Sequence, residues 1–160
     1  MKIKVTKGLL FLYLMLLIFA CNVKKTELAV VVDKEQIKKE IQAKEDEFAA
    51  IYNTGEIKNI GYYADDAITF YQNRAPLFGR EAREEFLKSD LISNSNKISF
   101  ITKEVFVSND GNQVVEIGSY NVVDSTNAAV NTGNYMSLFE KRDGRYVCLR
   151  DMSASDMPVE

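Results

Sequence analysis

Residues 97–124, KISFITKEVFVSNDGNQVVEIGSYNVVD, read as two strands folded back across Asn109-Asp110-Gly111-Asn112. An Asp-Gly pair between apolar runs signals a hairpin, because those residues tolerate the positive φ of a tight turn. Residues 132–153, TGNYMSLFEKRDGRYVCLRDMS, repeat the arrangement around Asp143-Gly144. The predicted pairs are 97–108 with 113–124 and 132–142 with 145–153. Four antiparallel strands thus occupy the second half of the chain.

Upstream the periodicity changes. Asp33-Lys34-Glu35-Gln36 reads as a capping box, with Val32 and Ile37 at the positions of a hydrophobic staple. The helix it opens runs to about Thr54, with Ile37, Ile41, Phe48, Ile51 and Tyr52 on one face. Lys38, Lys39, Glu40, Glu45 and Glu47 are expected on its solvated side, and Gly55 suits the C′ position. A second helix is predicted over 56–63, a strand over 67–72, and a third helix from about Arg80 that packs Ala82, Phe86 and Leu87 inward. Residues 89–96 read as a polar loop. The sum is an α+β domain over 33–158, with three helices in its N-terminal half covering the concave face of a bent antiparallel sheet. Such a cone commonly holds one small molecule.

The chain begins with a leader. Lys2, Lys4 and Lys7 precede an apolar run of 13 residues at 8–20, too short to span a bilayer as a helix (~20 residues) but suited to a secretory signal peptide. Ile18-Phe19-Ala20-Cys21 resembles a bacterial lipobox, which implies a signal peptide over 1–20, lipidation of Cys21 (palmitate among the acyl groups) and a tether over 21–32. The expected address is the cell envelope, by analogy the outer membrane facing the periplasm, since Asn22 is not the aspartate that retains some lipoproteins at the inner membrane. The membrane is then a partner through the lipid anchor.

Charge and composition exclude several functions. The chain carries 20 basic and 23 acidic residues, and loss of the leader's three lysines leaves a net charge of −6. An acidic domain without a basic block does not suit nucleic acid, whose binding rests on neutralising phosphates. Histidine is absent, which removes Ser–His and Cys–His pairs and histidine zinc sites. No metal or other cofactor is expected. Cys148, alone once Cys21 is acylated, reads as a small core hydrophobe.

Proton transfer would therefore fall to carboxylates and tyrosines. Glu116, Gly118 and Tyr120 share one strand face. If that face lines the cone, burial would raise the Glu116 pKa and make it a general base; on the outer face it would pair with a lysine. Asp151 follows Val147 and Leu149 at the same parity, at the end of an apolar strip. It is either an acid–base group near the cone mouth or the partner of Arg150, Arg74 or Arg80. Tyr71 and Tyr135 would orient a ligand or serve as ordinary core tyrosines. Arg74 and Arg80 would clamp a ligand carboxylate or, for Arg80, pair with a nearby acid.

The segments EFAAIYNTGEIKNIGYYADDAITF, FGREAREEF, VVEIGSY and TGNYMSLFEKRDGRYVCLRDMSASD resemble nuclear-transport-factor-2-like domains, in particular the SnoaL-like and ketosteroid-isomerase-like branch of unassigned function. The resemblance covers about 36–158. It implies a cone whose ligand contacts include Phe48, Tyr71, Tyr120, Tyr135, Ser137 and Ser153, and a homodimer formed through the open sheet face. Ketosteroid isomerases place a tyrosine on the first helix, an aspartate base on the first strand and a second aspartate in the oxyanion hole. The matching positions here hold Phe48, Tyr71 and Tyr135, which disfavours that mechanism. Two functions stay open. The preferred one is binding of a small amphipathic molecule, or an interaction role, without turnover. The other is an acid–base isomerase or cyclase using Asp151 or Glu116 with a pocket tyrosine.

Overall fold

The computed structural model describes residues 32–57, 60–93 and 95–158; the leader, Cys21 and nearly all of the tether lie outside them. The first helix, α1 (Lys34–Thr54), starts where its cap dictates: the Asp33 carboxylate accepts from the Gln36 N–H at 3.0 Å. The reciprocal half of the capping box does not form, because the Gln36 side chain turns to Glu40. Gly55, at φ 80°, closes the helix with its N–H on the carbonyls of Ile51 and Tyr52. Val32 packs against the cluster that contains Ile37, as the staple requires.

Of the expected helix over 56–63, residues 58 and 59 lie outside the described residues, and the described ones do not form an α-helix. Ile57 sits in a single tight turn, Gly61 and Tyr62 form another, and Tyr63 already opens strand β1 (Tyr63–Phe70). The reason is burial: Ile57, Tyr62 and Ala64 all point inward, a spacing no one helical face supplies. A two-residue strand, β2 (Leu77–Phe78), leads into α2 (Gly79–Ser93). This helix reaches into the predicted polar loop, and Leu87 near its middle is buried. Strands β3 (Lys97–Val107), β4 (Gln113–Val123), β5 (Ala129–Arg142) and β6 (Arg145–Ser155) follow as two hairpins. Gly111 and Gly144 take positive φ in the turns, as does Asp143.

The sheet is open, curved and six-stranded, in the order β2-β1-β6-β5-β4-β3. All neighbours are antiparallel except β1 and β6, which run parallel. α1 packs along β3 and α2 against β1 and β2, so the described helices number two rather than three. Between helices and sheet lies a core that includes Ile41, Val114, Phe139 and Cys148, each fully buried. Burying one such large apolar side chain contributes about 1.5–3 kcal/mol. No described helix is long and apolar enough to cross a membrane.

Candidate functional site

Three strand irregularities aim the polar side chains. On β3 the inward residues are Ile98, Phe100 and Thr102, and then, past a bulge, Val105. On β6 they are Tyr146 and Cys148, and then, past a bulge at Leu149, Asp151 and Ser153. The parity expected for Asp151 is therefore corrected. It does not share a face with Val147 and Leu149; the extra residue rotates it onto the interior face. Between Tyr63 and Ile68 the β1 register also shifts against β6.

The outcome is one polar row across the inner sheet face. Thr69 of β1 stands opposite Asp151 of β6, Asp151 opposite Ser137 of β5, and Ser137 opposite Glu116 of β4. Thr69, Ser137 and Glu116 are 0% exposed. Glu45 of α1 closes over this row at 2% exposure, which corrects its assignment to a solvated helix face. The signal was present in the sequence: Glu45 falls four residues after Ile41 and three before Phe48, inside the apolar stripe.

Each carboxyl group is met by a tyrosine. Tyr62 donates to Glu45 Oε1 at 2.5 Å, Tyr63 to Asp151 Oδ2 at 2.8 Å, and Tyr135 to Glu116 Oε1 at 2.8 Å. Tyr52 donates to Asp90 on α2. Thr102 adds a second donor to Glu116 Oε1 at 2.5 Å. Glu116 Oε2 is buried and receives no N–H or hydroxyl donor. The Glu45 carboxyl is close enough to Glu116 for the two charges to interact. Two carboxylates do not readily both carry charge in so dry a place, which favours one proton on the pair, on the side of Glu45. Burial, then the Glu116 charge, pushes the Glu45 pKa far above the usual carboxylate range. Asp151 is pushed up to about 6, chiefly by burial and against the pull of its hydrogen bonds from Tyr63 and Ser137. Ser137 Oγ lies 3.4 Å from Asp151 Oδ1 and 3.5 Å from the Tyr62 hydroxyl, linking the two carboxyl systems.

Above this row opens a cavity of about 210 Å³. Phe48 is its hub, with Tyr62, Tyr63 and Phe100 edge-on to it at 5.2–6.0 Å. Tyr71 and Phe86 meet at 4.7 Å to form the far wall, and Tyr120 and Tyr135 form the near one. Both near-wall rings need glycine. A Cβ on Gly118 would lie 2.2 Å from the Tyr135 ring, and one on Gly133 would lie 2.5 Å from Tyr120. Glu45, Asp90 and Asp151 supply the cavity's carboxyl groups. No grouping of three or more Asp, Glu or Cys side chains among the described residues is arranged to hold a metal ion.

The structure gathers most of the predicted site residues here. Phe48, Tyr71, Tyr120, Tyr135, Ser153 and Asp151 line the cavity, while Glu116 and Ser137 lie in the row beneath it. Glu116 faces inward, and Asp151 bonds to Tyr63 rather than to an arginine. The arginine clamp does not form: Arg80 is bound to Asp65, and Arg74 lies over Phe86. Glu45, Tyr62, Tyr63, Tyr52 and Asp90 are site residues that sequence reasoning missed.

No protein-family model matches the chain, and no curated protein matches it either. Solved structures do. An NTF2-like protein with a cystatin-like fold from Novosphingobium aromaticivorans superposes with a TM-score of 0.67 at 14% identity, over 78% of this chain and 85% of that one. An NTF-2-like protein of unknown function from Shewanella oneidensis gives 0.62 at 20% identity, over 73% and 98%. A ketosteroid isomerase-like protein from Erwinia carotovora atroseptica gives 0.60 at 16%, over 75% and 96%. The fold is thus NTF2-like, with the cystatin-like arrangement of a curved sheet wrapped by helices.

The raised carboxyls give a pH signature with a definite sign. Asp151 binds its proton more tightly when folded (about 6) than at its ordinary value of 3.8, so its ionisation opposes folding. Its contribution is fully favourable below about pH 3.8 and is lost as pH rises through about 6. Asp151→Asn should therefore flatten the fall in stability between pH 4 and pH 7, as measured by urea denaturation across that range. An unchanged difference between wild type and variant at both ends would contradict the assignment.

Proposed function

We propose that this chain is a cell-envelope lipoprotein whose SnoaL-like cone binds a small amphipathic molecule. The observation that carries the binding reading is the aromatic cavity above a polar row of which only Asp151 reaches the cavity. Rings supply apolar contact area, and carboxyl and hydroxyl tips orient what enters. A second reading, acid–base isomerase or cyclase, is favoured by one specific feature. Asp151 lines the cavity, and its pKa of about 6 suits a general base near neutral pH. Tyr63, bound to it, would hold the carboxylate in place.

The leader and lipobox support the anchor, and the uncovered sheet face supports a homodimer. On that face Phe70, Met152, Met136 and Ile117 stand opposite one another across four adjacent strands. Phe70, Met136 and Met152 are exposed. A continuous apolar band of this kind is what a second copy would cover.

Three outcomes are expected. Extracts of the native membrane should yield a small molecule that co-purifies with the wild-type protein and is lost from Gly118→Val, in which Tyr135 is displaced; turnover of that molecule, abolished by Asp151→Asn, would favour the enzyme reading instead. Light scattering should give twice the chain mass, falling to one chain for Met136→Glu. Cys21→Ser should abolish labelling by an alkynyl fatty acid and move the protein out of the detergent phase.

A further inference from the structure

The charge on the cavity narrows what it takes, provided the cavity is a binding site as proposed above. No lysine or arginine side chain lines it, whereas Glu45, Asp90 and Asp151 do. Arg83, the buried cation nearby, is turned away. Its guanidinium lies 4.4 Å from the centre of the Tyr63 ring and is spent on the carbonyls of Ala67 and Ala64, at 2.8 and 3.1 Å. The proton shared by Glu45 and Glu116 neutralises one of those two carboxyls and leaves the other charged. A carboxylate or phosphate entering here would meet like charge at Asp151 and, beneath the cavity floor, at Glu116. A neutral guest would leave the Asp151 carboxylate desolvated with only two hydroxyl donors and the Arg83 charge behind the Tyr63 ring to compensate it, which is costly.

The carboxyl groups alone would not define a ligand; the walls add an independent constraint. Phe48, Tyr63, Phe86 and Tyr120 line the same space; Tyr63 and Phe86 already carry the guanidinium groups of Arg83 and Arg74 at 4.4 and 4.1 Å, so the attraction a dry aromatic wall has for a further cation falls chiefly to Phe48 and Tyr120. The volume, about 210 Å³, is below the roughly 300–1,000 Å³ of sites for drug-sized ligands, so the guest is small. We infer that the cavity selects a protonated amine on a short apolar or aromatic body, with the ammonium at Asp151 and the body among the rings around Phe48.

Isothermal titration of the full chain in an uncharged maltoside detergent tests this with three matched probes: 2-phenylethylamine, 2-phenylethanol and phenylacetate. At pH 7.5 the amine should bind at least about tenfold more tightly than the alcohol, the worth of one partly buried ion pair. Phenylacetate should give no binding heat. In Asp151→Asn the advantage of the amine over the alcohol should collapse while alcohol binding persists. The comparison among probes on the wild-type chain stands even if the variant does not fold. Equal binding of amine and alcohol, or binding of phenylacetate, overturns the ammonium inference and leaves the binding reading intact. Failure of all three to bind overturns both.

Discussion

Burying the carboxyl groups of Glu45 and Glu116, with that of Asp151 half-buried beside them, is the constraint around which this interior is organised. An isolated carboxylate in a dry core costs several kcal/mol, so each must be given donors or a proton. The chain answers with tyrosines: Tyr62 for Glu45, Tyr63 for Asp151, Tyr135 for Glu116 and Tyr52 for Asp90. Glu116 Oε2 is left without a donor, and a proton on Glu45 removes the second negative charge that would otherwise stand beside it. A phenol suits this task because its ring packs as a hydrophobe while its tip donates. The same rings then become the walls of the cavity, so the groups that make the carboxyls tolerable also shape the space above them.

Backbone irregularity is what lets apolar strands deliver polar groups to one line. The bulge on β6 turns Asp151 inward, and the bulge on β3 lets Thr102 and Val105 share the interior. Gly118 and Gly133 have a complementary role. Each removes a side chain from the inner face so that a tyrosine from the neighbouring strand can lie flat across the vacancy. Strand-interior glycine weakens a sheet in isolation. Here the loss is offset by burial of an aromatic ring and, at Gly118, by the hydrogen bond its neighbour Tyr135 makes to Glu116.

Local signals were legible where the physics is local. The hairpins at Asp110-Gly111 and Asp143-Gly144, the Asp33 cap and the Gly55 stop depend on a few consecutive residues, and all stand in the structure. The fold class followed from their order. What depends on distant partners did not follow. The two-residue β2, the parallel pairing of β1 with β6, and the bulge that aims Asp151 are decided by strands far apart in sequence. Glu45 shows a different kind of miss. Its place in the apolar stripe was visible, but a charged residue is ordinarily assigned to water, and only the partners Tyr62 and Glu116 make burial acceptable.

The parallel join between β1 and β6 has a consequence for folding. Tyr62 and Tyr63, which hold Glu45 and Asp151, sit at the start of a strand that β2 and α2 can join early but whose parallel partner β6 lies far along the chain. α1 and the first hairpin turn are local and can form early, whereas the acidic hollow is complete only when β6 lies beside β1. Long-range closure of this sort is slow relative to helix and turn formation. Zipping the interior shut is therefore expected to lag behind its local elements, because it waits on a contact between distant parts of the chain.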